Sequence, residues 1–213
     1  SPRALFAHAN SSLNLSSGEA FFSEKGKQII NALNGIGPKD REKLGGGVYR
    51  QFGKHRDGFD IVSNMFSIHY FFKNTETFHN FLQNVSENSK VGGYFIGCCY
   101  DGKRLFRMLR QKNENESAFL MSRENTKMWD VKKLYASNEF NDDESSLGYK
   151  IDVYQESINK TFSEYLVNFD FLATALETYG FVPAPVNEVQ RMGFTKPVGS
   201  FRDLFTNMKE EIE

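Results

Sequence analysis

The sequence predicts an α/β protein with a mixed, mostly parallel sheet. From Phe59 to Leu109, two apolar β-type runs alternate with two helical patterns. That order is typical of parallel strands joined by right-handed crossovers. After Lys112 the chain changes to short strand-like runs between polar turns, which predicts an antiparallel part. We expect one domain over 1–213, with 113–155 as an antiparallel insertion.

The N-terminal elements are predicted to be a strand, a helix and a connection. Ala4–Ala9 is mainly apolar and runs into a polar turn that starts at Asn10, so we expect a strand there. Apolar residues at helical spacing over 19–33, followed by Gly35, predict a helix and its end. The glycine-rich, charged segment 35–58 is interpreted as mostly connection.

The prediction of parallel strands rests on the central elements. Phe59–Ser63 is a short apolar run rich in β-forming residues, and Tyr94–Cys98 follows a glycine turn. Between them, Phe78, Phe81, Leu82 and Val85 fall on one helix face, which Asn74 or Thr75 can cap. A second helix is predicted around 105–109.

The C-terminal half is expected to begin with three short antiparallel strands between 117 and 154. The acidic segment 137–146 between them is predicted to be mobile. We expect a long helix from Thr161 to Gly180, a last strand over Phe181–Val189, and a short or frayed helix at 201–213.

Composition excludes several classes of protein. The net charge of −1 gives no overall basic field for gripping long nucleic acid. The sequence has no run of eighteen apolar residues and no secretory signal pattern, so we expect neither membrane insertion nor secretion. Cys98 and Cys99 are adjacent on a predicted strand, which favours reduced thiols in a cytosol-like or nuclear compartment. The histidines and cysteines show no metal-ligand spacing.

Polar and aromatic residues cluster where two predicted strands end. Asn10 follows the first strand, and Asn64, His69 and Tyr70 follow the strand at Phe59–Ser63. In open α/β sheets, ligands bind outside the carboxyl ends of the strands. The sequence therefore predicts a ligand site at this edge.

At these residues the sequence resembles the mRNA cap guanine-N7 methyltransferases. The resemblance rests on "ANSS" (9–12), "FDIVSNMFSIHYFF" (59–72), "GGYFIG" (92–97) and "EYLVNF" (164–169), in the family's order. The flanking sequences look more like the giant-virus branch than the cellular one. The resemblance implies a Rossmann-like, S-adenosylmethionine-dependent methyltransferase fold with its first strands missing. It implies methyl transfer to N7 of the cap guanine, a 5′-capped mRNA end (GpppN) as partner, and a viral factory as a further possible location.

The resemblance also assigns residues to the cap guanine. His69 and Tyr70 should face the base, and Glu164 should accept hydrogen bonds from guanine N1–H and its exocyclic amine. Phe205 matches a position at which relatives carry an aromatic residue that closes over the cap. No catalytic acid or base is expected, because N7 presents a lone pair and carries no proton.

On the methyl-donor side the resemblance implies Asn10, Ser11 and Met65. Two of these depart from the family pattern, which has aspartate at position 10 and glutamine at position 65. An amide carries no charge, and a thioether is at best a weak acceptor. The family's glycine-rich donor turn, D-x-G-x-G-x-G-x-D, has no match in the sequence. We therefore expect weak donor binding, if any.

Each residue also has an ordinary structural interpretation. His69 and Tyr70 could belong to the core, and Asn10 could simply end a strand in a turn. Glu164 completes Thr161-x-x-Glu164, a capping box for the predicted helix.

At the level of the whole chain, three interpretations stay open. The chain is a fragment of a methyltransferase whose missing part or another capping-enzyme domain is a partner, or a degenerate cap-binding or stimulatory subunit of a capping complex. The third alternative is a small-molecule methyltransferase, which would not need His69, Tyr70 and Glu164.

Overall fold

The computed structural model describes residues 4–212, and for residues 207 and 210–212 the backbone alone. It divides into two compact units, one that ends at Leu172 and one that begins at Ala173. The first unit holds every strand of the described chain, in a two-stranded parallel sheet and a four-stranded antiparallel sheet. The predicted α/β class with parallel and antiparallel parts is confirmed, although the parallel part has only two strands. The single-domain boundary over 1–213 stays a prediction.

The predicted first strand, Ala4–Ala9, is wrong. Only Ala9 forms a bridge, and it is antiparallel to Phe21. The amide of Asn10 donates to the carbonyl of Ala20, and the amide of Phe22 donates to the carbonyl of His8. The segment therefore pairs with the chain that follows it rather than with the parallel sheet.

Two helices follow, where one was predicted. Helix α1 spans Glu24–Leu33 and starts late because the Ser23 side chain accepts from the Gly26 amide as N-cap. The glycine-rich connection contains helix α2, Arg41–Gln51, which the sequence analysis missed. The Asp40 carboxylate caps α2, and a small cluster of buried side chains holds it against α1. These side chains are Ala32, Leu44 and Val48.

The parallel pair forms as predicted. Strand β1, Phe59–Met65, pairs with β2, Ser89–Cys98, and α3, Thr75–Asn88, connects them. The register sets Met65 opposite Cys98, so both strands end at the same edge. Asn74 caps α3 by accepting from the Thr77 amide, as predicted.

A 3-10 helix, Ile68–Lys73, lies between β1 and α3. Phe71 and Phe72 are buried against α3: Phe71 stacks on Phe81, and Phe72 meets Phe78 edge to face. The ring centroids of Phe71 and Phe81 lie 4.3 Å apart. This packing fixes which side chains of the 3-10 helix point inward.

The antiparallel sheet has four strands in the order β3-β4-β5-β6. The three predicted strands are present: β3 (Ser117–Met121), β4 (Lys127–Lys133) and β5 (Lys150–Gln155). Helix α4, Gly102–Leu109, packs Leu109 into the core of this sheet with Ile151 and Leu166. Within the acidic segment, a short 3-10 helix at Glu144–Ser146 is present, and the mobility of 137–146 stays a prediction.

The fourth strand replaces the first third of the predicted long helix. Strand β6, Lys160–Tyr165, pairs with β5 through a turn in which Asn159 adopts a left-handed conformation (φ 53°). Helix α5 begins only at Phe169 and ends at Thr178, with Asn168 accepting from the Phe171 amide. The predicted helix start at Thr161 is wrong because a hairpin supplies the backbone partners of this segment.

The second unit is helical in its described part. After the end of α5 it contains α6, Val186–Arg191, and α7, Phe201–Ile212. The predicted strand Phe181–Val189 is wrong, because two prolines, Pro183 and Pro185, remove ladder donors and Pro185 precedes the first turn of α6. The helix at the C-terminal end is confirmed.

Candidate functional site

A sharp turn follows β1 and sets up the candidate site. Phe66 adopts a positive φ of 52°, and its amide donates to the Cys98 carbonyl at 3.0 Å. Ser67 Oγ then donates to Asn64 Oδ1 at 2.7 Å. The 3-10 helix therefore starts at the carboxyl end of the parallel sheet, where the sequence predicts a ligand.

The 3-10 helix carries His69 and Tyr70 on different sides. His69 is 4% exposed, whereas Tyr70 is 42% exposed. Their rings meet edge to face with centroids 4.3 Å apart. Tyr70 is therefore partly exposed to solvent next to a buried imidazole.

Glu164 comes to this place from the antiparallel sheet. It lies on β6 opposite Ile151 of β5, and it is only 8% exposed. Its Oε1 lies 3.6 Å from His69 Nε2. A residue on β6 and one on the 3-10 helix, 95 positions apart in the sequence, thus lie side by side. We use the word pocket for the cluster of His69, Tyr70, Glu164 and the residues that contact them. Because Glu164 is on a strand, the capping-box interpretation of this residue is wrong.

Several polar atoms of this pocket lack hydrogen-bond partners among the described residues. They are His69 Nδ1, His69 Nε2 and Glu164 Oε2. A buried polar group without a partner costs about 1–3 kcal/mol, so such groups are rare in folded proteins. The pocket therefore presents unused hydrogen-bonding capacity to whatever binds in it.

Burial shifts both pKa values in the pocket away from the charged forms. It lowers the pKa of His69 to about 4 and raises that of Glu164 to about 7. The 3.6 Å separation has ion-pair geometry, yet burial disfavours both charges. The pair is therefore a neutral imidazole beside a carboxyl group that ionises near neutral pH.

Tyr100 is a pocket residue that the sequence analysis missed. It follows β2, its ring lies roughly parallel to that of His69 at 6.5 Å, and its hydroxyl accepts from Gln155 Nε2. Burial first, and then the charge of Glu164, raises the pKa of both Tyr100 and Tyr70. Tyr100 lies just past the end of a parallel strand, and this position in the sequence could have identified it as a site residue.

The residues assigned to the donor side lie in a different setting. Asn10 is exposed, and its Oδ1 accepts from the Ser12 amide within its own turn. The exposed Ser11 offers its carbonyl to Nδ2 of Asn84, a buried residue on α3. Asn84 also binds the Leu13 carbonyl and the Leu15 amide, so it holds this loop on α3.

Met65 and Phe205 complete the predicted set. Met65, at the end of β1, is 52% exposed, and Cys98 Sγ approaches its sulfur at 3.5 Å. Phe205 is exposed on α7 of the second unit, where Lys209 Nζ lies 4.9 Å from its ring centroid. The structure thus brings together His69, Tyr70 and Glu164 of the predicted residues.

The described residues show neither a metal-holding cluster nor a membrane-spanning helix. Residues 4–212 contain no group of three or more histidine, cysteine or acidic side chains arranged to hold a metal ion. In the same range, no helix has the length and apolar character needed to cross a membrane.

Comparison with known proteins assigns the family. The mRNA (guanine-N(7))-methyltransferase domain matches residues 27–212, which is most of the chain. The chain therefore belongs to the mRNA (guanine-N(7))-methyltransferase domain family, and the predicted resemblance is confirmed.

Similar curated proteins include one from a virus and several from fungi. A probable mRNA-capping enzyme of Acanthamoeba polyphaga mimivirus is 28% identical over 123 residues, which are 56% of this chain and 10% of that protein. An mRNA cap guanine-N(7) methyltransferase of Eremothecium gossypii is 27% identical over 139 residues, 65% of this chain and 32% of that protein. One of Aspergillus oryzae is 38% identical over 65 residues, 29% of this chain and 13% of that protein. The chain thus matches at most about a third of the length of these three relatives.

Proposed function

We propose that this protein acts in methylation of the mRNA cap at guanine N7, and that the pocket of His69, Tyr70 and Glu164 binds the cap guanine. The observation that carries the proposal is the buried Glu164 carboxyl group, whose Oε2 has no partner in the described chain. Guanine offers N1–H and an exocyclic amine side by side, and a carboxylate accepts from both. The family supplies the reaction, and the pocket supplies a group that fits the base.

The two ring residues complete the recognition of a base. Tyr70 is half exposed beside the pocket, so its ring can contact the guanine face, and such stacking is worth about 1–3 kcal/mol per base. His69 stays neutral because burial lowers its pKa to about 4, so it adds hydrogen-bonding atoms without a positive charge. Guanine N7 has a lone pair and no proton, so the pocket need not provide a base or a nucleophile. Its contribution is to orient the guanine and exclude water.

S-adenosylmethionine is the methyl donor that the family implies, but the residues assigned to it do not fit it well. The side-chain oxygen of Asn10 already accepts a hydrogen bond within its own turn, and the half-exposed Met65 has its thioether next to the Cys98 thiol. Neither offers the charged acceptor expected for a ribose or an amine. We therefore assign no step on the donor side to these residues.

The experiment that tests the proposal compares cap binding and thermal melting in three variants. Glu164→Gln keeps the shape of the side chain but sets an amide donor against guanine's N–H groups. Hydrogen bonds to charged groups are worth about 1.5–3 kcal/mol, so affinity for a guanosine cap dinucleotide should fall at least about tenfold. His69→Ala and Tyr70→Ala should also weaken cap binding.

The matched control is Phe119→Ala, which removes an exposed aromatic ring from β3. It should leave cap affinity unchanged. If the three pocket variants lower the melting temperature and leave cap affinity as it was, these residues serve only the core and the proposal is wrong.

A further inference from the structure

Helix α4 and its C-cap carry three arginines that form no ion pair with an acidic side chain of the described residues. Arg104, Arg107 and Arg110 are exposed and spaced three residues apart, so they lie along one side of the helix and its C-cap. No carboxylate of the described chain lies within ion-pair distance of them. Lys103 differs, because its Nζ bridges Asp142 and Asp170 at 2.5 Å each. We name Arg104, Arg107 and Arg110 the arginine stripe.

The stripe is not explained by the stability of its own helix. Arg107 and Arg110 lie near the C-terminal end of α4, where positive charge favours the helix dipole. Arg104 lies in the first turn, where positive charge is unfavourable; the N-cap Asp101 accepts from the backbone amide of Arg104 and forms no ion pair with its side chain. Like charges three residues apart also repel. The stability of α4 therefore does not account for all three arginines, whereas a ligand that neutralises them would.

Helix α4 starts at the candidate guanine pocket. Tyr100, two residues before the helix, faces His69, and Asp101 caps the first turn. At Gly102 a Cβ atom would come within 2.2 Å of the Val167 carbonyl oxygen, three residues after Glu164. The helix is therefore held against the segment that carries Glu164, and its eight residues extend about 12 Å from that point.

We propose that the arginine stripe binds the phosphate backbone of the RNA chain that continues from the cap. This inference rests on the proposed function, because it assumes that the guanine occupies the pocket. Guanidinium groups suit phosphates, to which they donate paired hydrogen bonds. The net charge of −1 leaves no general attraction for RNA, so a local stripe is needed to guide the strand.

The test measures binding of a cap dinucleotide and of a long capped oligoribonucleotide to the wild-type protein and to Arg104→Gln/Arg107→Gln/Arg110→Gln. The triple variant should bind the long RNA about tenfold more weakly, and the slope of log K against log salt should shrink by about 2, as loss of three contacts to a single strand predicts. Its affinity for the dinucleotide should not change. The matched control, Arg41→Gln/Arg50→Gln/Lys54→Gln, removes three exposed cations in and beside α2 and should retain the affinity for long RNA.

Three results would overturn the inference. They are an equal loss in the control variant, an unchanged affinity of the stripe variant for long RNA, and displacement of the RNA by an acidic peptide that binds the stripe more tightly. Failure of the proposed function has a separate signature. In that case Glu164→Gln leaves the affinity for the dinucleotide unchanged. This measurement is independent of the arginine stripe, because the dinucleotide does not reach α4.

Discussion

The guanine pocket and the Asn10 loop use polar side chains in opposite ways. In the pocket, His69 and Glu164 are buried with hydrogen-bonding atoms that nothing in the described chain satisfies. In the loop, Asn10 is exposed and its side-chain oxygen is used by the Ser12 amide. A buried unsatisfied group is costly and calls for a ligand, whereas an exposed turn needs none. The contrast favours ligand binding in the pocket, where we propose that a guanine base binds, over ligand binding at the Asn10 loop.

The largest expected difference between the two regions is in ligand affinity. The protein should bind a guanosine cap dinucleotide measurably and S-adenosylmethionine weakly or not at all, because Asn10, Ser11 and Met65 offer no charged or buried acceptor. Titration calorimetry with each ligand checks this. Micromolar binding of S-adenosylmethionine would contradict the predicted difference in affinity between the two regions.

Removing Asn84 should affect stability and not cap binding. Asn84→Ala deletes the side chain that bonds the Ser11 and Leu13 carbonyls and the Leu15 amide. Leaving these groups unpaired should cost about 1–3 kcal/mol, and for a chain of this size each kcal/mol lowers the melting temperature by about 2–4 °C. Asn80→Ala, which loses one bond to the Ser12 carbonyl, is the control and should have a smaller effect. An unchanged melting temperature for Asn84→Ala would show that the loop is not held this way.

The smallest expected effect is a pair of opposite pH dependences of stability. Burial raises the pKa of Glu164 from 4.5 to about 7. Glu164 therefore contributes to the stability of the fold below pH 4.5, and this contribution is lost as pH rises through about 7. Burial lowers the pKa of His69 from 6.5 to about 4. His69 therefore contributes to the stability of the fold above pH 6.5, and this contribution is lost as pH falls through about 4. Between 4.5 and 6.5 the two contributions oppose each other.

Single substitutions should separate these contributions. Relative to wild type, the melting temperature of Glu164→Gln should fall as pH is lowered from 7 to 4.5, and that of His69→Ala should fall as pH is raised from 4 to 6.5. Thermal melts across this range check both slopes. Slopes of the same sign in the two variants would contradict the burial of the pair.

The sequence predicted the local elements well where the hydrophobic spacing was clear. Helix α3 and strands β1 and β2 follow directly from such patterns. It failed where pairing across the chain decides the structure. The segment at Thr161 has good helical composition, but the turn at Asn159 joins it to β5 as a hairpin.

The candidate site was only partly accessible from the sequence for the same reason. His69 and Tyr70 are adjacent, so their shared position could be predicted, and Glu164 was assigned through the family resemblance alone. Nothing local indicates that Glu164 lies 3.6 Å from His69. Tyr100 was missed because it lies in the connection to α4, and only the fold brings its ring to His69.

The measurement that tests the account most directly is the affinity for a guanosine cap dinucleotide as a function of pH. Ionised Glu164 accepts from both guanine N–H groups, whereas the protonated form sets a donor against them. Wild-type affinity should therefore rise as pH passes through about 7, the pKa to which burial raises Glu164. In Glu164→Gln the affinity should be lower and independent of pH in this range. The same pH profile in both proteins, or a wild-type affinity that does not change with pH, would contradict the assignment of Glu164 to the guanine.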